Sequence, residues 1–384
     1  MTPSALRMFL PWPIARSLAC TLACTLALAA LVLLTAPARA YDHEGLARDA
    51  LEHHIRPGYA AFDKAAADLS AAATVLCGAP SADGLAHAKA AFKDAALSWA
   101  RVEHLHFGPI ADDKRSERLI YWPDPKGLVR KQAAAIIETA DETAFDGRLA
   151  GKSVAVQGFT ALDAVLFGAG SQELQLPAAT GSPRCRYTQA LTANIASIAK
   201  ATAEGWKPGS TFETIWLKPG DGNSTYLSAK ETTQALLQSY VTGLELLRDT
   251  RLKGQLGLQK AGGKALEPML PNSGLALPYL QASIEGLKSL LSDGGFISRQ
   301  TDPPVTDPGK QVMTILGSIN DELTRAIDAA ASAGKLSQTP FKDDAAREKL
   351  IAMGFPLKNA YVTGGQTIAD QASITLGFSA LDGD

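Results

Sequence analysis

No histidine follows His106 in this chain of 384 residues, and no cysteine follows Cys185. Any chemistry that needs an imidazole must draw it from His43, His53, His54, His87, His104 or His106. Nucleophile-elbow, phosphate-loop, dinucleotide and H-E-x-x-H zinc motifs are absent too, so the familiar hydrolase, nucleotide and zincin chemistries have no local signature. Runs of β-branched residues are scarce, while Ala-rich segments with Leu, Lys, Glu and Gln repeat at a period near 3.6. That pattern predicts an all-α chain. No excess of positive charge is present to attract nucleic acid or anionic lipid, with 37 basic against 39 acidic residues.

What is present begins with a leader. Arg7 and Arg16 precede a long apolar run from Leu18 to Leu34, and Ala38-Arg39-Ala40 forms a small-x-small cleavage signal. Residues 1–40 are expected to be a signal peptide cleaved before Tyr41, which directs the protein to the periplasm. Cys20 and Cys24 sit at the front of the apolar run, whereas a lipoprotein cysteine would follow it. Removing the leader, with its three Arg and no acidic residue, leaves 344 residues of formal charge −5. No further stretch reaches membrane-spanning length. Two cysteines remain, Cys77 and Cys185, and an oxidising compartment favours a disulfide between them over two separate buried thiols.

One phrase occurs twice. Gly158-Phe-Thr160-Ala-Leu-Asp163 returns as Gly377-Phe-Ser379-Ala-Leu-Asp382, and in both copies the flanking apolar residues keep the spacing of one helix face. The hydroxyl and carboxylate of each copy, three residues apart, fall on one strip beside that face. The repeat predicts two similar helical-bundle domains related by an internal duplication: residues 41–206, a connection at 207–226 rich in Gly, Pro, Ser and Asp, and residues 227–384. A glycine inside such a helix costs about 1 kcal/mol relative to Ala, so close backbone approach is the expected reason for it. Helices are predicted from His43 with an interruption at Pro57-Gly58, from Ala82 to about Phe107, and at about 128–139, 158–168, 185–206, 228–253, 275–292, 308–333, 343–353 and 367–382. Ala111 to Lys126 is read as an ordered loop.

The densest polar cluster is Trp99-Ala-Arg101-Val-Glu103-His104-Leu-His106-Phe107. Glu103 and His106 form an E-x-x-H pair, the spacing by which bundle helices present a carboxylate and an imidazole to one metal, and this ligand type suits iron, manganese or zinc. Di-metal bundles need the motif twice and only one copy is found, so surface polar contacts are the competing reading. His104 projects elsewhere and reads as solvated. Glu52-His53-His54 reads as a solvated helix face. Trp99 and Phe107 suit a core better than a stacking platform, and Arg101 could pair with a buried carboxylate or with an anionic ligand.

Taken together, Trp99 to Gly108-Pro109, Trp122-Pro123, the Gly158 helix, Cys185-x-Tyr187 and the terminal Leu376–Asp384 resemble the imelysin family. These are iron-regulated, exported bacterial proteins also classed among metallopeptidases, and the resemblance covers essentially the whole mature chain. It implies a two-domain helical fold with a site near the domain interface. The family's G-x-H-x-x-E motif maps onto Gly158, Thr160 and Asp163. Threonine cannot replace imidazole as a neutral nitrogen ligand or base, and three protein ligands are the usual minimum for catalytic zinc. Two functions are therefore expected to compete. One is a binding or accessory role in iron uptake without catalysis, with a metal ion or small ligand and other iron-uptake components as partners. The other is a metallopeptidase on a displaced set of ligands, Glu103, His106 and Asp163, for iron or another divalent metal. Trp99, Arg101, Thr160, Ser379 and Asp382 are further candidates to line a ligand site.

Overall fold

A computed structural model describes residues 41–260, 262–298 and 307–375. The expected leader at 1–40 and the second copy of the phrase, with Ser379 and Asp382, lie outside the described residues. Among those described, the regular structure is helical throughout, and no helix is long and apolar enough to cross a membrane. The described residues from Asp42 onward cluster as one compact unit.

The first helix α1 (His43–Ala50) passes through a π-helical turn, Leu51–Ile55, straight into α2 (Arg56–Gly78). The expected break at Pro57 does not occur. A proline has no N–H and its ring crowds the carbonyl four residues back; the wider π-turn just upstream accommodates both defects without ending the helix. Helix α3 (Ala82–Ala100) starts where Ser81 accepts a hydrogen bond from the Gly84 N–H, as expected of a cap. It ends at Ala100, well before Phe107. A short α4 (Arg115–Leu119) lies within the stretch read as a loop, followed by α5 (Leu128–Thr139), α6 (Gly158–Phe167) and α7 (Pro183–Gly205). Helices α2, α3, α6 and α7 pack on one another as a first group. Cys77 at the end of α2 and Cys185 at the start of α7 are joined by a disulfide. It closes a loop of 108 residues, which in the chain-entropy picture stabilises by about 4–5 kcal/mol.

The stretch read as a connection is ordered and packed. It contains α8 (Thr211–Leu217), whose fully buried Trp216 donates from Nε1 to the Ala47 carbonyl at 2.8 Å and stacks on Phe107. A second group follows: α9 (Ala229–Glu245), a π-turn at Leu246–Leu252, the short α10 (Lys253–Leu256), α11 (Ala276–Ser292), α12 (Asp307–Leu336) and α13 (Asp344–Asn359). A third π-turn, Ala360–Gly364, leads into α14 (Gly365–Gln371). Helix α11 packs against both α12 and α3, so it joins the two groups.

The turn between α3 and Phe107 runs through this junction, and three helical glycines seat it. A Cβ at Gly58 would collide with the Val102 side chain, one at Gly286 with the Arg101 carbonyl, and one at Gly243 with the His104 Cβ at 2.8 Å. Gly158 is required differently. It opens α6 at φ +66°, a left-handed conformation, and its Cα faces the carbonyls of Arg118 and Leu119. The close backbone approach expected of this glycine is present. Gly158→Ala combines backbone strain with a clash against fixed carbonyls, and is expected to destabilise by about 3 kcal/mol. Urea denaturation of the two proteins measures this, and a loss below about 1 kcal/mol would contradict the packing described.

Candidate functional site

Glu103 lies at the centre of the junction, on the turn that follows α3. Its carboxylate takes both forks of the Arg251 guanidinium, one to Oε1 and the other to Oε2 at 2.7 Å. Tyr279 donates its hydroxyl to Oε2 at 2.7 Å and Ser283 donates to Oε1 at 2.7 Å. Tyr279 and Ser283 are four apart on α11 and so share one face of it. Arg251 comes from the second π-turn and also lies over the Tyr279 ring at 5.2 Å. Both charged side chains are 7% exposed. Burial alone would lower the Arg251 guanidinium, but the adjoining Glu103 carboxylate more than offsets this and holds it above its ordinary value. Burial, then the Glu103 charge, push the Tyr279 phenol well up, so it stays a donor.

Beside this centre the turn carries His104, which is 2% exposed. Its Nε2 is 3.0 Å from Nε2 of His54, itself 4% exposed and held in the first π-turn. His54 Nδ1 meets Ser289 Oγ at 3.0 Å, and Ser289 donates to the exposed Asp293 at 2.9 Å. Both histidines were read as solvated, and the structure corrects this. His54 falls on the same buried stripe as Leu51 and Ile55, a placement that helical spacing could have revealed; Glu52 and His53 face out as expected.

The E-x-x-H reading assumed that α3 continues to Phe107. It ends at Ala100, so Glu103 and His106 share no helix face. The turn nevertheless keeps them neighbours: His106 is exposed, within electrostatic reach of Glu103 and Arg251. Asp163 is elsewhere. Fully buried in α6, it accepts the Asn272 backbone N–H at 3.0 Å, the Asn272 side-chain amide at 2.8 Å and the Ser273 N–H at 2.9 Å. Burial raises its carboxyl above the usual range, against the pull of these donors. Thr160 accepts from the Tyr121 N–H at 3.3 Å. Among the described residues, no three His, Cys, Asp or Glu side chains converge as metal ligands would. The donor set suggested for a metal therefore does not fit one here: Glu103 is neutralised by Arg251, and Asp163 closes a turn.

Trp99 is core, packed on Phe62 at 5.3 Å between ring centroids. Arg101 pairs with the exposed Glu285 at 2.6 Å. The buried carboxylate instead takes Arg251, 148 residues downstream of it. Arg251 lies four residues beyond Leu247, at a buried position of the same helical run, and a charge at such a position signals a buried partner.

Removing either member of the buried pair is expected to cost about 3–5 kcal/mol, because the other charge is left without compensation. The double replacement Glu103→Leu/Arg251→Met should cost much less than the sum of the singles. Denaturation of the three variants tests this, and strict additivity would contradict the pairing. A pH effect follows as well. Burial holds His54 at about 4, with Asp293 opposing, and holds His104 well below its ordinary value, with His54 and His106 adding to the effect. Unfolded histidines titrate near 6.5, so between about 6.5 and about 4 the unfolded chain binds more protons and acidification destabilises the fold, by about 1.4 kcal/mol per pH unit for each histidine. His54→Gln is expected to flatten that slope in pH-dependent denaturation; an unchanged slope would contradict the assignment.

Comparison with known proteins agrees with this architecture. Two solved structures share the fold: an imelysin-like protein from Psychrobacter arcticum 273-4, 19% identical with a TM-score of 0.67, and the "putative iron-regulated protein A precursor" of Parabacteroides distasonis ATCC 8503, 16% identical with a TM-score of 0.63. Each alignment covers 88% of this chain and 97% of the other. No curated protein matches. The model of the family described as Imelysin matches residues 55–371, most of the chain, and the protein belongs to the imelysin family.

Proposed function

We propose that this protein acts in iron uptake as an exported binding or accessory protein of the periplasm, and that it is not a peptidase. The observation that carries the reading is the state of the family motif. At its histidine position stands Thr160, whose hydroxyl accepts a backbone N–H, and its carboxylate, Asp163, is occupied by the 272–273 turn. A peptidase on the displaced set would need Glu103, which already accepts from Arg251, Tyr279 and Ser283. The link to iron rests on family membership and on the name of the Parabacteroides protein. The duplication belongs to the same proposal, with the phrase at 377–382 occupying in the second helical group the place that 158–163 holds in the first.

Two measurements test the role. A strain lacking the protein is expected to grow more slowly when iron is chelated and normally when iron is supplied; equal growth in both media would count against the iron link. Purified protein incubated with a denatured protein substrate and Fe²⁺, Mn²⁺ or Zn²⁺ is expected to leave the substrate intact. Metal-dependent cleavage that is lost in Glu103→Gln would establish the peptidase instead.

A further inference from the structure

Just ahead of α6 the fold holds a guanidinium that bonds no carboxylate. Arg118, near the end of α4, is half-buried. Its Nε donates to Gln157 Oε1 at 2.9 Å and its Nη2 to Asn194 Oδ1 at 2.6 Å. Both acceptors are neutral amides, Gln157 1% exposed and Asn194 9%. Their orientations are fixed. Gln157 spends its amide nitrogen on the Lys152 carbonyl at 2.8 Å, which turns its oxygen to Arg118. Asn194 Nδ2 meets that same oxygen at 3.5 Å, which turns its own oxygen to Arg118 as well.

A guanidinium carries five N–H donors, arranged as forks that each match a pair of oxygens. On Arg118 the two amides take the side fork, Nε with one hydrogen of Nη2. The end fork, Nη1 with the other hydrogen of Nη2, has no partner among the described residues. The charges that bear on it are Asp113, 79% exposed, and Arg115, and these two pair with each other at 3.7 Å. Arg115 also donates to the Pro109 carbonyl and to Asp112 at 3.4 Å. Other well-covered guanidiniums meet a carboxylate directly: Arg56 takes Glu52 and Glu213, and Arg251 takes Glu103. Burial holds Arg118 below its ordinary value, with Asp113 opposing and Arg115 adding, whereas the partnered Arg251 is held above.

We propose that the end fork of Arg118 is a binding site for the carboxylate of a small ligand, which supplies the missing counter-ion. Two parallel N–H groups match the two oxygens of a carboxylate, and the amides on the other fork fix the guanidinium plane before the ligand arrives. Fastening α4 to α6 and α7 needs only hydrogen-bond donors, which a neutral amide would supply without taking a charge out of water. A single free cation balances a monoanionic carboxylate. A phosphate dianion would call on Arg115 too, and that side chain is already engaged. One further step rests on the iron-uptake reading: the ligand is then a carboxylate-bearing chelate of ferric iron, held through its chelator rather than through Glu103, His106 and Asp163.

Calorimetric titration of citrate into the mature protein, at neutral pH in chloride buffer, tests the site. Saturable one-to-one binding is expected, with phosphate at least about tenfold weaker. Arg118→Lys keeps the charge and loses the fork. It is expected to weaken citrate binding at least about tenfold while the circular dichroism spectrum stays unchanged. The wild type gives a second reading that needs no variant, a shift of the nitrogen-15 signal of the Arg118 side chain on adding citrate. No saturable binding, phosphate bound as tightly as citrate, an unmoved Arg118 signal, or equal affinity in folded Arg118→Lys would each overturn the site. Ferric citrate, titrated separately, is expected to bind through Arg118 as well. If citrate binds and ferric citrate does not, or if citrate binds and the growth test shows no iron link, the chelate is overturned and the carboxylate site stands.

Discussion

The two groups of helices depend on one buried ion pair. Glu103 reaches the junction from the turn after α3, Arg251 from a π-turn after α9, and α11 supplies two hydroxyls that complete the shell. Taking both charges out of water costs several kcal/mol for each, and the forked geometry with its two added donors compensates for it. Hydrophobic packing could join the helices as firmly. What the ion pair adds is register, because a carboxylate with four fixed donors tolerates little sliding of one helix group against the other.

The Gly158–Asp163 phrase serves here as a fastening. Gly158 lets α6 begin against two carbonyls, Thr160 secures the chain at Tyr121, and Asp163 closes the turn at Asn272–Ser273 ahead of α11. Each of these contacts joins segments far apart in sequence.

Helical periodicity made most of the helices readable, and the repeated phrase pointed to the glycine at the head of α6. The cysteine pair was legible from export and from number alone. The site was legible only in part. Glu103 stood out because it lies in a dense polar cluster, but the sequence carried the helix through it, and the early end of α3 arises from tertiary packing against Gly58, Gly243 and Gly286. The chief partner of Glu103 lies far along the chain, and no local pattern pairs a glutamate with an arginine at that separation. His54 was misread for a different reason: two exposed polar neighbours, Glu52 and His53, masked its place on the buried stripe.

Both His54 and Arg251 stand in π-turns, where the helix accommodates one residue more than the α-helical repeat allows. Such a turn works as a local length adjustment. Losing that residue would restore the regular repeat, keep the caps at both ends, and leave the helix faces on either side of it in phase. A relative could therefore exchange an interior imidazole or guanidinium for an apolar side chain by a single deletion, without altering loops or helix packing elsewhere. The polar centre can change its chemistry faster than the bundle changes its shape.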